Sequence, residues 1–271
     1  MKPFMIYIRR CLLLVLSLSL VACSNYQKLM KKASPEDKYA AAKDFLQEKD
    51  FMRASTLLED VSSYYRGTGA AEDVLFFMAE AYMGQKDYYS AAEYYKAYMK
   101  NYPRGKFVKE SRYMIAVCYY SDSPDARLDQ SSTEKAIDAF SDYIEFYPTD
   151  SRVKDAYLHI AEMQDKLAYK GVLNAKLYFN LGIYLGNNYR SAILTAQNVL
   201  KDYPETKYRE ELSFLILNSK YKEAAYSASQ KRKERYSEVI DEYYNYSNEF
   251  PDGKHINAAN RIFKESKNIL K

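Results

Sequence analysis

The sequence has no tryptophan, three cysteines, two histidines, eight glycines and seven prolines in 271 residues. Each shortage excludes something. Sandwiches and barrels turn every ~8–12 residues, mostly on Gly, Pro, Asn or Asp, and so few Gly and Pro cannot punctuate that many strands. With 48% hydrophobic residues the chain has the material for a core, so it is predicted to be folded and all-helical. His159 and His255 stand far apart, with no cysteine or carboxylate cluster at ligand spacing, and a metal site is not expected. There is no Gly-rich phosphate loop, no G-x-S-x-G elbow and no Cys/His constellation, so neither an enzyme nor a cofactor is expected. Charge is nearly balanced. Of 40 Lys plus Arg against 36 Asp plus Glu, Lys2, Arg9 and Arg10 fall in a leader described next, and the remainder argues against a nucleic-acid partner.

Residues 1–22 place those three bases ahead of an apolar run from Cys11 to Val21, the pattern of a secretory signal peptide. The run is short of the ~20 apolar residues that span a bilayer. It ends Leu20-Val21-Ala22-Cys23-Ser24, similar to a bacterial lipobox in which the cysteine becomes the acylated N-terminus. Cys23 is therefore the expected lipid attachment, and more than one acyl chain gives stable anchoring. With Cys11 removed and Cys23 acylated, Cys118 is alone and no intrachain disulfide is possible. It reads as a small buried hydrophobe rather than a catalytic thiol. Residues 23–34 read as lipidated N-terminus and tether. Ser34-Pro35-Glu36-Asp37 then reads as a helix start, with N-cap, proline and first-turn acids.

Thirty tyrosines and twelve phenylalanines are the excess to explain. A phrase recurs in which a small residue leads an amphipathic stretch to an aromatic 11 residues later: Ala54 to Tyr65, Ala91 to Tyr102, Ala136 to Tyr147, Ala192 to Tyr203 and Val239 to Phe250. Proline follows in four copies and Arg66 in the first. Eleven residues are about three helical turns, so both ends share one face. Leu58, Tyr95, Phe140 and Tyr243 recur four after the small residue, with Ala196 in the remaining copy. Leu75, Met78, Ala79 and Tyr82 before Ala91, Tyr95 and Pro103 match the tetratricopeptide (TPR) pattern of paired helices. Such pairs leave apolar surface on both flanks and are stabilised by stacking, so a superhelix of about five pairs is predicted. Repeats one to three occupy 35–148 and repeats four and five 149–271.

The spacing also marks irregularities. Ala42, Ala79 and Ala116 repeat every 37 residues, whereas Tyr147 to Tyr203 spans 56, with room for helices over about 152–169 and 173–184. The insertion from Ser121 to Thr133 reads as an exposed loop; its carboxylates lack EF-hand spacing and the central Gly. The basic run Lys231-Arg232-Lys233-Glu234-Arg235 could meet phosphate or an acidic partner, but acids following on the same helix favour a solvated face.

First helices of a stacked array line its concave side, where peptides dock. Counting from the three alanines, Tyr39, Phe76 and Tyr113 make one row and Leu46, Met83 and Tyr120 another, with Lys43 and Glu80 as polar elements between them. The same rings would serve as padding between repeats. Replacing Phe76 and Tyr113 with Ser separates the two readings.

A lipobox at Cys23 followed by five TPR-like units with Tyr-Pro endings resembles the BamD (YfiO) family of outer-membrane lipoproteins. The specific pieces are Pro35 to Ala40, Asp129 to Phe140 with Tyr147-Pro148, Asp165 to Ala168, Ala175 to Tyr178, and Val199 to Thr206. The resemblance implies a lipid-anchored scaffold on the periplasmic face of the outer membrane. It implies docking through C-terminal repeats on the POTRA domains of a BamA-like barrel subunit, and N-terminal repeats that receive unfolded outer-membrane protein segments. Tyr65 fits the family's first Tyr-Pro aromatic, tied to substrate contact, although Arg66 replaces the proline. The stretch between Ala175 and Tyr189 is longer than usual for the family. The alternative is a periplasmic TPR adaptor coordinating envelope constriction or peptidoglycan synthesis.

Overall fold

The computed structural model describes residues 26–271; the leader and Cys23 lie outside the described residues. Every regular element among the described residues is helical. The chain divides into two compact units, one ending at Asp122 and the other Ser123–Lys271.

Unit 1 contains α1 (Pro35–Gln47), α2 (Phe51–Tyr65), α3 (Ala71–Gly84), α4 (Tyr88–Asn101) and α5 (Val108–Asp122). Helix α1 starts as its sequence predicts: the Ser34 hydroxyl accepts the Asp37 N–H at 3.1 Å, with Pro35 in the first turn. Each helix packs on the next, and α1 also touches α3, the first-helix contact that stacking requires. Ala42, Ala79 and Ala116 are fully buried, so the 37-residue period marks the places of closest approach. The described part of the expected tether, residues 26–34, differs from that expectation. Residues 26–32 are helical, and Tyr26 sets its ring edge-on to Phe45 at 6.0 Å beneath the Arg53 guanidinium. Tyr26, Leu29 and Met30, at helical spacing, pack on the core of α1 to α3.

Unit 2 contains α6 (Ser131–Phe146), α7 (Val153–Leu181), α8 (Asn188–Asp202), α9 (Arg209–Ala225), α10 (Ser229–Glu249) and α11 (Ile256–Leu270). Consecutive helices pack together, and α9 touches both α7 and α11. Two expectations are corrected here. The helices expected over 152–169 and 173–184 are a single helix of 29 residues, about 43 Å long. Gly171 is the sole weak point between them. Its intrinsic helix penalty is about 1 kcal/mol, but a Cβ there would run into the Val199 side chain of α8, so the glycine admits the close packing that buries Ala168, Val172 and Ala175 against α8 and α9. The insertion is also not simply exposed, because Ala126 and Gln130 are buried. The Gln130 amide donates to the Asp125 carbonyl at 2.8 Å and Lys166 donates to the Ser123 hydroxyl at 2.7 Å, stapling residues 123–130 to α7.

The connectors between repeats share one backbone pattern. N–H groups of Thr68, Gly105, Asp150, Thr206 and Gly253 donate to the carbonyls of Tyr65, Tyr102, Tyr147, Tyr203 and Phe250 at 2.9–3.2 Å. The aromatic closing each phrase is thus the first residue of a tight turn into the next pair, and Tyr65 keeps this role without a proline. Two of these corners are sealed alike. The Tyr98 hydroxyl donates to Glu72 of α3, which also accepts the Lys106 N–H at 2.8 Å. In unit 2 the Tyr246 hydroxyl donates to Glu210 at 2.9 Å, and Glu210 accepts the His255 N–H at 3.1 Å. Glycine is required at both corners by close approach: a Cβ on Gly105 would lie 2.6 Å from the Glu72 carboxylate, and one on Gly253 2.7 Å from that of Glu210.

Candidate functional site

The sequence places Tyr39 near the start of α1 and Tyr64-Tyr65 at the end of α2, and the antiparallel return of the pair brings these ends together. The Tyr39 and Tyr65 rings lie 5.2 Å apart and tilted, and Tyr64 meets Tyr65 edge-on at 5.1 Å. One turn along α1 the Lys43 ammonium stands 4.8 Å over the Tyr39 ring. The Tyr64 hydroxyl donates to Glu36 at 2.5 Å, and Lys38 pairs with Asp60 at 2.6 Å, which tie the rim of the patch across α1 and α2.

The electrostatics keep these rings neutral donors. Burial, helped by the Asp73 charge and Tyr65, pushes the Tyr39 phenol up to about 12. Burial also raises Tyr65, with Glu36 adding to it. Tyr64 is raised by its hydrogen bond to Glu36, which in turn holds that carboxyl below its ordinary value. The result is a three-ring platform in which Tyr39 and Tyr65 are half-buried against the core of α1 to α3 and Tyr64 is the exposed ring, with one ammonium over Tyr39 and carboxylates at the edge. It can take apolar and aromatic side chains on the ring faces and pair a carboxylate with Lys43. Tyr64, 54% exposed, was missed by the sequence reading, which followed only the closing ring of each phrase. The doubled Tyr64-Tyr65 was the available signal.

The other predicted groove residues do not join this platform as two continuous rows. Phe76 is 7% exposed and its ring stacks on Phe107 at 4.0 Å, with Tyr95 and Tyr98 edge-on within 5.9 Å. It belongs to the layer between α3, α4 and the start of α5, because the one-residue shift that separates the two faces of a helix turned it inward. Glu80 is half-buried and accepts the Tyr95 hydroxyl. Loss of water raises its pKa, the Tyr95 hydrogen bond works against that, and nearby Glu110 adds to it. Leu46 packs on the core of α1 to α3, and Met83 is half-buried with its sulfur 3.7 Å from that of Cys118. Burial, with the Glu80 and Asp122 charges behind it, drives the Cys118 thiol up to about 12, so it is an inert packing group. Tyr113 and Tyr120 stand half-buried on α5.

Unit 2 carries a cleft of about 430 Å³ lined by Pro124, Asp125, Lys166, Tyr169, Lys207 and Tyr208. Its floor is the stacked pair Tyr169 and Tyr208, 5.2 Å apart. Burial lowers the Lys166 ammonium, with Asp125 and Glu162 opposing. The mixed charges over two rings suit a polypeptide surface better than a small ion. Among the described residues no group of three or more His, Cys, Asp and Glu is placed to hold a metal, and no helix is long and apolar enough to cross a membrane.

With this geometry in place, comparison with known proteins decides the family. The model of the YfiO family, described as outer membrane lipoprotein, matches residues 31–236. The chain belongs to the YfiO family. The matched span runs from before α1 into α10 and includes the three-ring platform. A Caulobacter vibrioides protein named outer membrane protein assembly factor BamD is 28% identical over 137 residues, 50% of this chain but only 45% of that protein. The protein of the same name from Rickettsia prowazekii is 23% identical over 257 residues, 94% of this chain and 96% of its own length. Among solved structures, a Podosopora anserina putative kinesin light chain with TPR-like repeats shares 16% identity over 80% of this chain and 96% of its own, at a TM-score of 0.34. A likeness at that level adds nothing to what the YfiO match and the helix pairs already carry.

Proposed function

We propose that this YfiO-family chain is a non-catalytic scaffold for assembly of outer-membrane β-barrel proteins. It is anchored by an acylated Cys23 at the periplasmic face of the outer membrane. Its C-terminal repeats dock on the POTRA domains of a BamA-like barrel subunit, and its N-terminal repeats receive unfolded outer-membrane protein segments. The relatives named as outer membrane protein assembly factors support the process. The observation that carries the client-binding part is the platform of Tyr39, Tyr64 and Tyr65 under Lys43. Strand-forming clients alternate apolar residues and end in an aromatic and a free carboxylate. Flat phenol faces accept many such side chains at low entropic cost, while one ammonium selects the carboxylate end.

Two measurements test this. Affinity purification of the lipidated chain from envelope membranes is expected to recover the barrel subunit; recovery only of division or cell-wall proteins overturns the reading in favour of the adaptor role. A fluorescent peptide with alternating apolar residues and a C-terminal phenylalanine is expected to bind the chain. Binding is expected to weaken about tenfold or more in Tyr64→Ala/Lys43→Glu, consistent with loss of one ring contact and one charge pair. An unchanged affinity removes the platform from the proposal.

A further inference from the structure

The stretch after Ala175 ends α7 in an unusual way. Gly182 caps the helix at φ 57, where a Cβ would crowd the Tyr189 hydroxyl at 2.9 Å, and Leu185 and Gly186 follow at φ 54 and 146. Leu185 is not a residue that favours the left-handed region. The turn it makes lifts its side chain to 91% exposure. Leu177 and Leu181, one helical turn apart, with Ile183, Tyr184 and Tyr226, are also exposed, which makes an exposed apolar crest. Scattered exposed leucines need no explanation, but a run of them within nine residues does.

The crest has a charge pattern around it. Arg190, exposed in the first turn of α8, follows Leu185 by five residues, and no Asp or Glu occurs between Asp165 and Asp202. Lys176, next to Leu177, is paired with Glu211. A cleft of about 380 Å³ joins Ile183 and Tyr226 to Lys231 and to the Arg235–Glu223 ion pair, 3.2 Å across, so the loop borders the start of α10, where Lys231 is the base left without that acid. Lys231, Arg232 and Lys233 are exposed in the first turns of α10, where positive charge opposes the helix dipole and no acid stands in the first turn. That placement is locally unfavourable and becomes favourable beside an anionic surface.

We infer that the Leu177–Leu185 crest of unit 2, bordered by Arg190 and the basic start of α10, is a membrane-surface contact that inserts into anionic phospholipid. The chemistry favours lipid over a protein partner: exposed leucine and isoleucine side chains suit the acyl boundary of a leaflet, tyrosines its interface, and the exposed bases of α10 its phosphates. The inference is independent of the barrel-assembly reading and stands or falls on lipid alone.

The test uses residues 23–271 with Cys23→Ser, which contain every described element and lack the acyl groups. Because the chain has no tryptophan, Tyr184→Trp gives a single reporter at the crest. The chain is expected to float with vesicles of phosphatidylethanolamine and phosphatidylglycerol, and much less with phosphatidylcholine alone. The indole emission should shift to the blue on binding and be quenched by brominated acyl chains. Ile183→Ser/Leu185→Ser should weaken binding about tenfold or more with an unchanged melting temperature, since both side chains are exposed. Lys231→Glu/Lys233→Glu should do the same and remove the salt dependence. The inference is overturned by any of four results. These are absence of vesicle binding, binding indifferent to both pairs of changes, flotation without an emission shift, or crest variants that still float but dissolve a dimer or release a captured envelope protein.

Discussion

Replacing Phe76 with alanine distinguishes core from groove more sharply than any other single change in this protein. The ring is buried, stacked face to face on Phe107 at 4.0 Å and met edge-on by Tyr95 and Tyr98. Truncating a buried phenylalanine costs about 3–5 kcal/mol from lost transfer and a residual cavity, whereas a change on a solvent-facing groove wall stays within about 0.5 kcal/mol. At roughly 4–8 °C per kcal/mol for a unit of this size, the melting temperature of unit 1 should fall by at least about 12 °C. Repeat arrays lose all-or-none behaviour, so a global melt can blur such a change. Cys118 supplies a local readout. It is the free, buried thiol of α5, packed against Met83, and reacts with a thiol reagent only when that region opens. In the Cys23→Ser chain from residue 23, Phe76→Ala should accelerate Cys118 labelling in parallel with the melt at 222 nm. A variant that keeps its melting temperature and its Cys118 protection, yet loses peptide binding, would show that the ring faces a groove and that the packing argument is wrong.

Three further outcomes follow from the same geometry. Glu80→Gln should keep an acceptor for the Tyr95 hydroxyl while removing a charge that burial disfavours. Because the folded state holds the Glu80 proton more tightly than the unfolded chain, its contribution to stability is present at low pH and is lost as pH rises out of the ordinary carboxylate range. The variant should therefore melt higher than the parent at neutral pH and show a flatter pH profile; an equal slope in both chains would refute this. Glu72→Ala should cost about 1–3 kcal/mol by stripping an acceptor from the Tyr98 hydroxyl and the Lys106 N–H, read by urea denaturation, and Glu210→Ala should do likewise at the matching corner of unit 2. Tyr64→Ala, at a ring already 54% exposed, should leave the melting temperature within about 4 °C, since surface changes stay within about 0.5 kcal/mol. A larger drop would mean the platform is structural.

Much of the fold was readable because TPR packing is written in short, local spacings. The 37-residue alanine period and the 11-residue small-to-aromatic interval both landed on fully buried alanines and on repeated turns. The site was only partly readable. Tyr39, Lys43 and Tyr65 do meet, but Tyr64 entered from the adjacent position and Phe76 turned inward. Positions that line a groove and positions that fill a core are one residue apart on a helix, about 100° of rotation. Which way that rotation falls depends on the neighbouring helix, and no spacing within one helix records it.

Sequence alone therefore determined the element type, the repeat period and the residues of closest approach, since these follow from side-chain size and periodicity along a single strand of text. Tertiary structure decided the rest. It fused two expected helices into α7 because one glycine admits close packing against α8 and α9, and it stapled the 123–130 loop through Lys166 and Gln130. It also set the crest at Leu185 beside bases more than forty residues away in sequence. Each of these rests on contacts between distant segments, whose free energies exceed the local preferences that a sequence displays.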